Sequence, residues 1–447
     1  MKKFVLFAVT LIFLAPMSFA VDKNVLNVDF FGRFNDPYLC DYVNEAITNN
    51  HTAKQATTRV EEYRQRVKMQ FANELPSIGV SANYLGISVP KFNPNYELEK
   101  NAFVLPFMVN YEADFLLKNR DKTKSSKKTY EMSQLDEISA YLALTSDVAT
   151  VYTNILQYDK LIEEQTKIVN NYKQICKHDN RKFSRGVVST TEINNSDSNL
   201  ESSTIELEKL IKQREVLLMD FSVLLGRGSN LSESGRAELN KEIKRGTLDN
   251  FEYKLTIPNE ISSDVIYSRP DVKRAELALE KAKIDIRVAR KEFLPSFNIT
   301  GLWAFNTIAP GNFFSWDSSL AALLAGATQD IFTGGRKVAN LKYQKARYQE
   351  LFEDYKQTDL EAVKEVNTSL CIIKHDQSVE NETKAKLNLE KKNLRNVDKK
   401  FNRGVVSKTQ KLNEENTCIS RDIDLTKAKT QRLVNYYTLY KAVGGKL

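Results

Sequence analysis

Glycine and proline are scarce, 16 and 10 in a chain of 447 residues. Both residues bend or end regular structure, so their scarcity implies long uninterrupted elements. Cysteine is equally thin. Cys40, Cys176, Cys371 and Cys418 stand at wide, irregular spacings that fit neither a disulfide framework nor a zinc site. His51, His178 and His375 do not cluster, and no P-loop, nucleophile triad or metal motif occurs, so neither an enzyme nor a cofactor is expected. After the first 20 residues no apolar run reaches 18, which excludes a transmembrane helix and leaves strands as the route into a bilayer. A block of one charge sign is missing too. The net charge is +8, but Lys and Glu alternate along most of the chain, as on solvated helix faces. No nucleic-acid partner is expected.

The first 20 residues read as a cleavable leader. Lys2 and Lys3 precede an apolar run over 4–14, Pro16 breaks it, and Ser18-Phe19-Ala20 is a small-x-small cleavage site. Residue 21 is Val rather than Cys, so lipid attachment there is not indicated.

The most informative feature is a duplication. "RKFSRGVVST" from Arg181 recurs as "KKFNRGVVSK" from Lys399, and the match runs ungapped from 181–226 to 399–444 at an offset of 218. "LPSIGVSANY" from Leu75 recurs as "LPSFNITGLW" from Leu294, and "YEADFLLKNR" from Tyr111 has a weaker echo, "ATQDIFTGGR", from Ala327. Three matches in one order at nearly one offset describe a unit of about 200 residues used twice, too long for a solenoid repeat. The expected organisation is a leader over 1–20, a first repeat over 21–230, a connection over 231–262 and a second repeat over 263–447. Each repeat reads as helix, two strands, a long helix, a glycine turn and a final helix. The first has helix over 50–73, strands near 78–87 and 102–115, and helices over 120–183 and 191–225. The second has helix over 271–293, strands over 297–305 and 320–331, and helices from 336 to 401 and on to 443. A helix of about 65 residues is roughly 100 Å long. The two shorter helices of a repeat, stacked end to end, would run beside it. The strands would then sit at one end of a rod and the Arg-Gly-Val-Val-Ser turn at the other.

The strands alternate. Ile78, Val80 and Tyr84 point one way along the first, Phe103, Leu105 and Phe107 along the second, and Phe297, Ile299, Trp303 and Phe305 along the third. Alternation alone also fits a sheet covering a soluble core. Apolar-out, polar-in segments of about ten residues are equally the mark of outer-membrane strands. Four such strands cannot close a barrel, and open edges are forbidden in lipid, so a membrane role requires oligomerisation.

These segments resemble the TolC-like outer-membrane efflux family. The Leu-Pro-Ser strand entries, the "YEADFLLKNR" passage from strand to helix, the Arg-Pro-Asp helix "IYSRPDVKRAELALEKAKIDIRVARKEFLPS" and the turns "FSRGVVSTTE" and "FNRGVVSKTQ" carry the resemblance, over roughly 38–445. It implies an α+β membrane protein: an internally duplicated protomer whose long antiparallel hairpins build an α-barrel. Its four strands would join those of two other copies in a trimeric 12-stranded outer-membrane barrel. It further implies a passive exit duct of a tripartite efflux pump or type I secretion system, partnered by a periplasmic adaptor and, through it, an inner-membrane transporter. A coiled-coil scaffold without a pore is the alternative that long helices alone would allow.

The residues expected to matter follow from this. Gly186 and Gly404 suit the φ > 0 positions of hairpin turns. Val187, Val188, Val405 and Val406 would be exposed at the tips, with Ser189 and Ser407 capping the next helices. The resemblance makes these tips the adaptor contact. It also makes Arg185, Glu192, Arg403, Gln410, Asn413 and Glu414 candidates for the tunnel entrance, although Gln410 and Asn413 stand where relatives commonly carry carboxylates. The ten alternating strand residues named above are the candidate lipid-facing set. His178-Asp179 and His375-Asp376 read as solvated. Cys176 and Cys418, at similar heights above the tips, read as reduced thiols, although a disulfide there is conceivable.

Overall fold

The computed structural model describes residues 27–89, 98–228, 239–253, 261–307 and 313–446; the leader expected over 1–20 and residue 21 lie outside them. Two short helices, α1 (Asp29–Gly32) and α2 (Leu39–Asn49), precede α3 (His51–Ala72). Strands β1 (Ser77–Val80), β2 (Asn83–Val89) and β3 (Leu98–Glu112) follow, then α4 (Lys118–Phe183) and α5 (Thr190–Leu224). After α6 (Ser263–Tyr267) the grammar repeats as α7 (Pro270–Lys291), β4 (Ser296–Asn306), β5 (Ser319–Thr328), α8 (Arg336–Asn402) and α9 (Lys408–Ala442). Corresponding helices match in length: 22 and 22 residues, 66 and 67, 35 and 35. Among the described residues no helix is long and apolar enough to cross a membrane.

The helices form four columns. α4 packs against α3 and α5 on one side and against α7 and α9 on the other, and α8 packs on α7 and α9. The short helices stack end to end, as their lengths require. At the first joint Asn50 caps α3, accepting from the Ala53 N–H at 3.0 Å, while its amide donates to the Leu224 carbonyl of α5 at 2.9 Å. Gly226 turns the chain there with φ +71, and a Cβ would lie 2.5 Å from the Asn49 carbonyl oxygen, so only glycine fits. At the second joint buried Arg269 donates to the Ala442 carbonyl at 2.6 Å and pairs with Asp271 and Glu365. Burial opposes the Asp271 charge, but the Arg269 bonds outweigh it and hold this carboxyl below its usual range.

The sheet is antiparallel throughout, in the order β1–β3–β4–β5, with β2 continuing β1 along the same edge of β3. The strand expected near 78–87 is thus divided at Ser81-Ala82, and its alternation survives the break: Val80 pairs with Phe107 and Tyr84 with Phe103. β3 and β4 join the repeats, pairing Leu105 with Phe305, Phe107 with Trp303 and Tyr111 with Ile299. The sheet's two outer edges, β1–β2 and β5, have no strand partner among the described residues.

The core lies midway along the rod, around the joints. Phe30 stacks on Tyr440 at 4.5 Å, Phe34 lies 4.9 Å from Tyr437, and Phe221 meets Tyr42 edge-on at 5.1 Å. Tyr152 donates to the Asp36 carboxylate at 3.0 Å and accepts the Gly246 N–H. Residues before α3 therefore belong to this girdle, together with Leu239, Ile243, Leu248 and Phe251 of the connection. The apolar period of α2, at Leu39, Tyr42, Val43, Ala46 and Ile47, marks a helix ahead of the one expected over 50–73, whereas the four-residue α1 and the connection carry no comparable signature.

Candidate functional site

Each long hairpin ends in the same turn. The N–H groups of Gly186 and Val187 reach back to the carbonyls of Phe183 and Lys182 at 2.8 and 3.0 Å, and those of Gly404 and Val405 to Phe401 and Lys400, both at 2.9 Å. This closes the last helical carbonyls and requires φ +72 and +75 at the two glycines. Val187 and Val405 are 69% and 70% exposed, whereas Val188 and Val406 are half-buried. The apolar surface at each tip is therefore the first valine of the pair.

The turns differ just beyond. Ser189 accepts the Glu192 N–H at 3.3 Å, and the Glu192 carboxylate accepts the Ser189 N–H at 3.1 Å, a reciprocal cap of two orphan donors. Ser407 accepts from the Gln410 N–H at 3.1 Å. Glu192 thus has a structural task at the first tip. Arg185, Arg403, Gln410 and Asn413 are exposed, Glu414 is half-buried, and among the described residues none of these makes an ion pair.

A short way above the tips, polar side chains tie the two hairpins together. The reading of Asp179 as solvated is wrong: it is 7% exposed and accepts from Ser196 of α5 at 2.8 Å and from Thr409 of α9 at 3.1 Å. Buried Asn171 donates to buried Asn416 of α9 at 2.8 Å. His178, likewise expected in solvent, is half-buried, while His375 is exposed. The sequence signal for Asp179 was available in the helical period, since it lies about three turns along the stripe from Ile168 and about one turn from Ile175, but its charge argued the other way. All four cysteines are free. Burial, then a bond to Asp197, pushes the Cys176 thiol up to about 11, which leaves it protonated and inert.

At the other end of the rod the register puts the ten strand residues on one face. Phe107 lies 6.0 Å from Trp303, Trp303 5.0 Å from Phe305, and Tyr84 5.3 Å from Phe103. Val109, Tyr111 and Leu323 extend the face, and Asn110, Thr300 and Asn298 occupy the other. The passage from β3 to α4 is fixed by Asp114, whose carboxylate accepts the N–H groups of Lys118 and Arg120 at 2.6 and 2.9 Å beside left-handed Leu117.

Residues 42–227 and 261–445 match the family described as outer membrane efflux protein. The chain is 24% identical over 444 residues to the probable outer membrane lipoprotein SilC of Salmonella typhimurium, spanning 96% of this chain and 92% of that one. It is 24% identical over 443 residues to the cation efflux system protein CusC of Escherichia coli (strain K12), spanning 96% and 93%. Among solved structures, the CmeC outer membrane channel of Campylobacter jejuni shares the fold with a TM-score of 0.85 at 22% identity, covering 94% of this chain and 88% of that one. The MtrE outer membrane channel of Neisseria gonorrhoeae, in its open state, gives 0.81 at 22% identity, covering 94% and 92%.

Proposed function

Because the chain belongs to the outer membrane efflux protein family and is a passive exit duct of the outer membrane rather than an enzyme, we propose that it works as a homotrimer. The observation that carries this reading is the open sheet. One face is apolar along Ile78–Tyr84, Phe103–Tyr111, Phe297–Phe305 and Ala321–Ala327, both outer edges lack strand partners among the described residues, and strand edges cannot be left bare in hydrocarbon. Three copies close twelve strands into a barrel of alternating apolar-out, polar-in residues. The set from Ile78 to Phe305 then faces outer-membrane lipid, and the helical columns continue the passage through the periplasm. A pore-free scaffold has no use for such a sheet.

The tips lie about 100 Å from the strands, where a periplasmic adaptor would meet Val187-Val188-Ser189 and Val405-Val406-Ser407 beside Gly186 and Gly404. Through that adaptor an inner-membrane transporter supplies energy and selects cargo, whether small toxic compounds or secreted polypeptides. Relatives named for cations, CusC, and for toluene, TtgC of Pseudomonas putida, are consistent with selection outside the duct. Arg185, Arg403, Gln410, Asn413 and Glu414 form the entrance in this reading. Three Glu414 carboxylates near a threefold axis repel one another and attract cations. Glu414→Gln is expected to weaken block of single channels by divalent cations; unchanged block removes Glu414 from the entrance. The reading as a whole is tested by extracting the chain from outer membranes. A stable trimer that conducts in planar bilayers supports it, and a monomer without conductance overturns it.

A further inference from the structure

The two outer columns lack something that their equivalents inside the chain possess. α4 buries 25 residues along its length, yet its repeat-mate α8 buries five; α9 buries eleven, and its repeat-mate α5 five. Inside the chain α4 packs on α9. The duplicated counterpart of that contact joins α8 to α5, and in one chain those columns lie on opposite edges. The contact is therefore available only between copies. Its register can be read from the contact that is present. Shifting Asn171–Asn416 and Asp179–Thr409 by the offset of 218 sets Leu389 level with Ser198, and Val397 with Thr191. Leu389, Ser198 and Thr191 are all exposed, Leu389 by 60%.

In that register charges of opposite sign meet. Glu201 stands level with Lys386, Asp197 with Lys391 and Glu192 with Arg395, each to within one residue. All six are exposed, and among the described residues none makes an ion pair. The contact inside the chain is built differently. The residues there equivalent to Lys386 and Glu201 are Ile168, which is buried, and Ile419, which is half-buried.

We infer that the tip-ward thirds of α8 and α5 form a charged seam between neighbouring copies, with Lys386, Lys391 and Arg395 of one facing Glu201, Asp197 and Glu192 of the next. The inference rests on the trimeric reading above. It makes the two kinds of column contact unequal: within a copy the tips are held by buried apolar and hydrogen-bonded side chains, and between copies by exposed ion pairs. Exposed pairs are individually weak and are screened by salt, so the tip end parts first between copies.

Assembled full-length protein in detergent tests this. In a background of C176S and C371S, which removes the nearby and the exposed thiol, the pair S198C and L389C is expected to oxidise into chain-to-chain cross-links running up to trimer. K386E or E201K alone should lower the cross-link yield severalfold, and the combined charge swap should restore it. Raising NaCl from about 50 mM to about 500 mM should lower the yield of the unswapped pair. A trimer that gives no cross-link, or a swap no better than either single change, would overturn the seam while leaving the duct intact. Failure to form trimers at all would overturn the trimeric reading and the seam with it.

Discussion

Asp179 shows how much one side chain can hold at this end of the molecule. Its carboxylate serves the hydroxyls of Ser196 and Thr409, on two helices from different repeats. Asp179→Ala removes the acceptor from both and is expected to cost about 1–3 kcal/mol of local stability, since buried donors lose their partner. Amide exchange should speed up in both tips together; acceleration confined to one hairpin would contradict the tie. The caps differ in a measurable way as well. Ser189→Ala breaks a reciprocal box, so it should fray the start of α5 more than Ser407→Ala frays α9, each loss being on the order of 1 kcal/mol. Glu137 shows the opposite case. It is 8% exposed, and burial raises its carboxyl pKa with only Thr57 opposing. A raised acid gains stability as pH falls through its folded pKa toward its unfolded one. Glu137→Gln should therefore raise the melting temperature at neutral pH and remove that gain on acidification.

At the level of elements, the joints decide whether two short helices behave as one column. The second depends on a charge. Asp271 has its pKa lowered by Arg269 against the cost of burial, so its contribution is present above the ordinary aspartate pKa and is lost as pH falls through the lower folded value. Asp271→Asn should lower the melting temperature near neutral pH and flatten its decline in acid. A parallel acid profile in the variant would show that the joint does not depend on this pair. Most of this layer was legible in the sequence, because 120–183 is nearly free of glycine and proline and carries apolar residues at helical spacing, because the duplication carries that reading to 336–401, and because Gly186 and Gly404 mark reversals between long helices. The joints were only half legible. Nearly equal summed lengths implied stacking, and the Arg-Pro-Asp motif contained Arg269, but nothing showed that Asn50 and Arg269 bond the stacked helices to each other. The girdle of Phe30, Phe31 and Phe34 was not legible, since α1 is four residues long and its partners, Tyr437 and Tyr440, lie at the far end of the chain. The lipid-facing pattern needed only a period of two, so a break at Ser81-Ala82 that preserves parity left it intact.

For the whole molecule, the open sheet and the open columns ask for the same closure. The strands require partners at β1–β2 and β5, and the columns at α5 and α8, so the edges lie in the same order at both ends of the rod. One rotation that joins copies through the sheet therefore also joins them through the helices, and closure at one end promotes closure at the other. The two faces of the sheet then have opposite tolerances. Phe107 sits amid Val80, Trp303 and Phe305 on the apolar face, whereas Met108 pairs with Gly79 and Leu302 on the other. An arginine on the lipid face near the bilayer midplane costs about 2–4 kcal/mol per copy, and a trimer carries that cost at three positions. An arginine directed into a water-filled passage carries no such cost. Phe107→Arg is expected to cut the yield of trimer in outer membranes sharply, with the chain retained in the periplasm or degraded. Met108→Arg should assemble normally and alter conductance instead. Equal loss of trimer in both variants would mean that the two faces do not meet different solvents, and the barrel would have to be abandoned along with them.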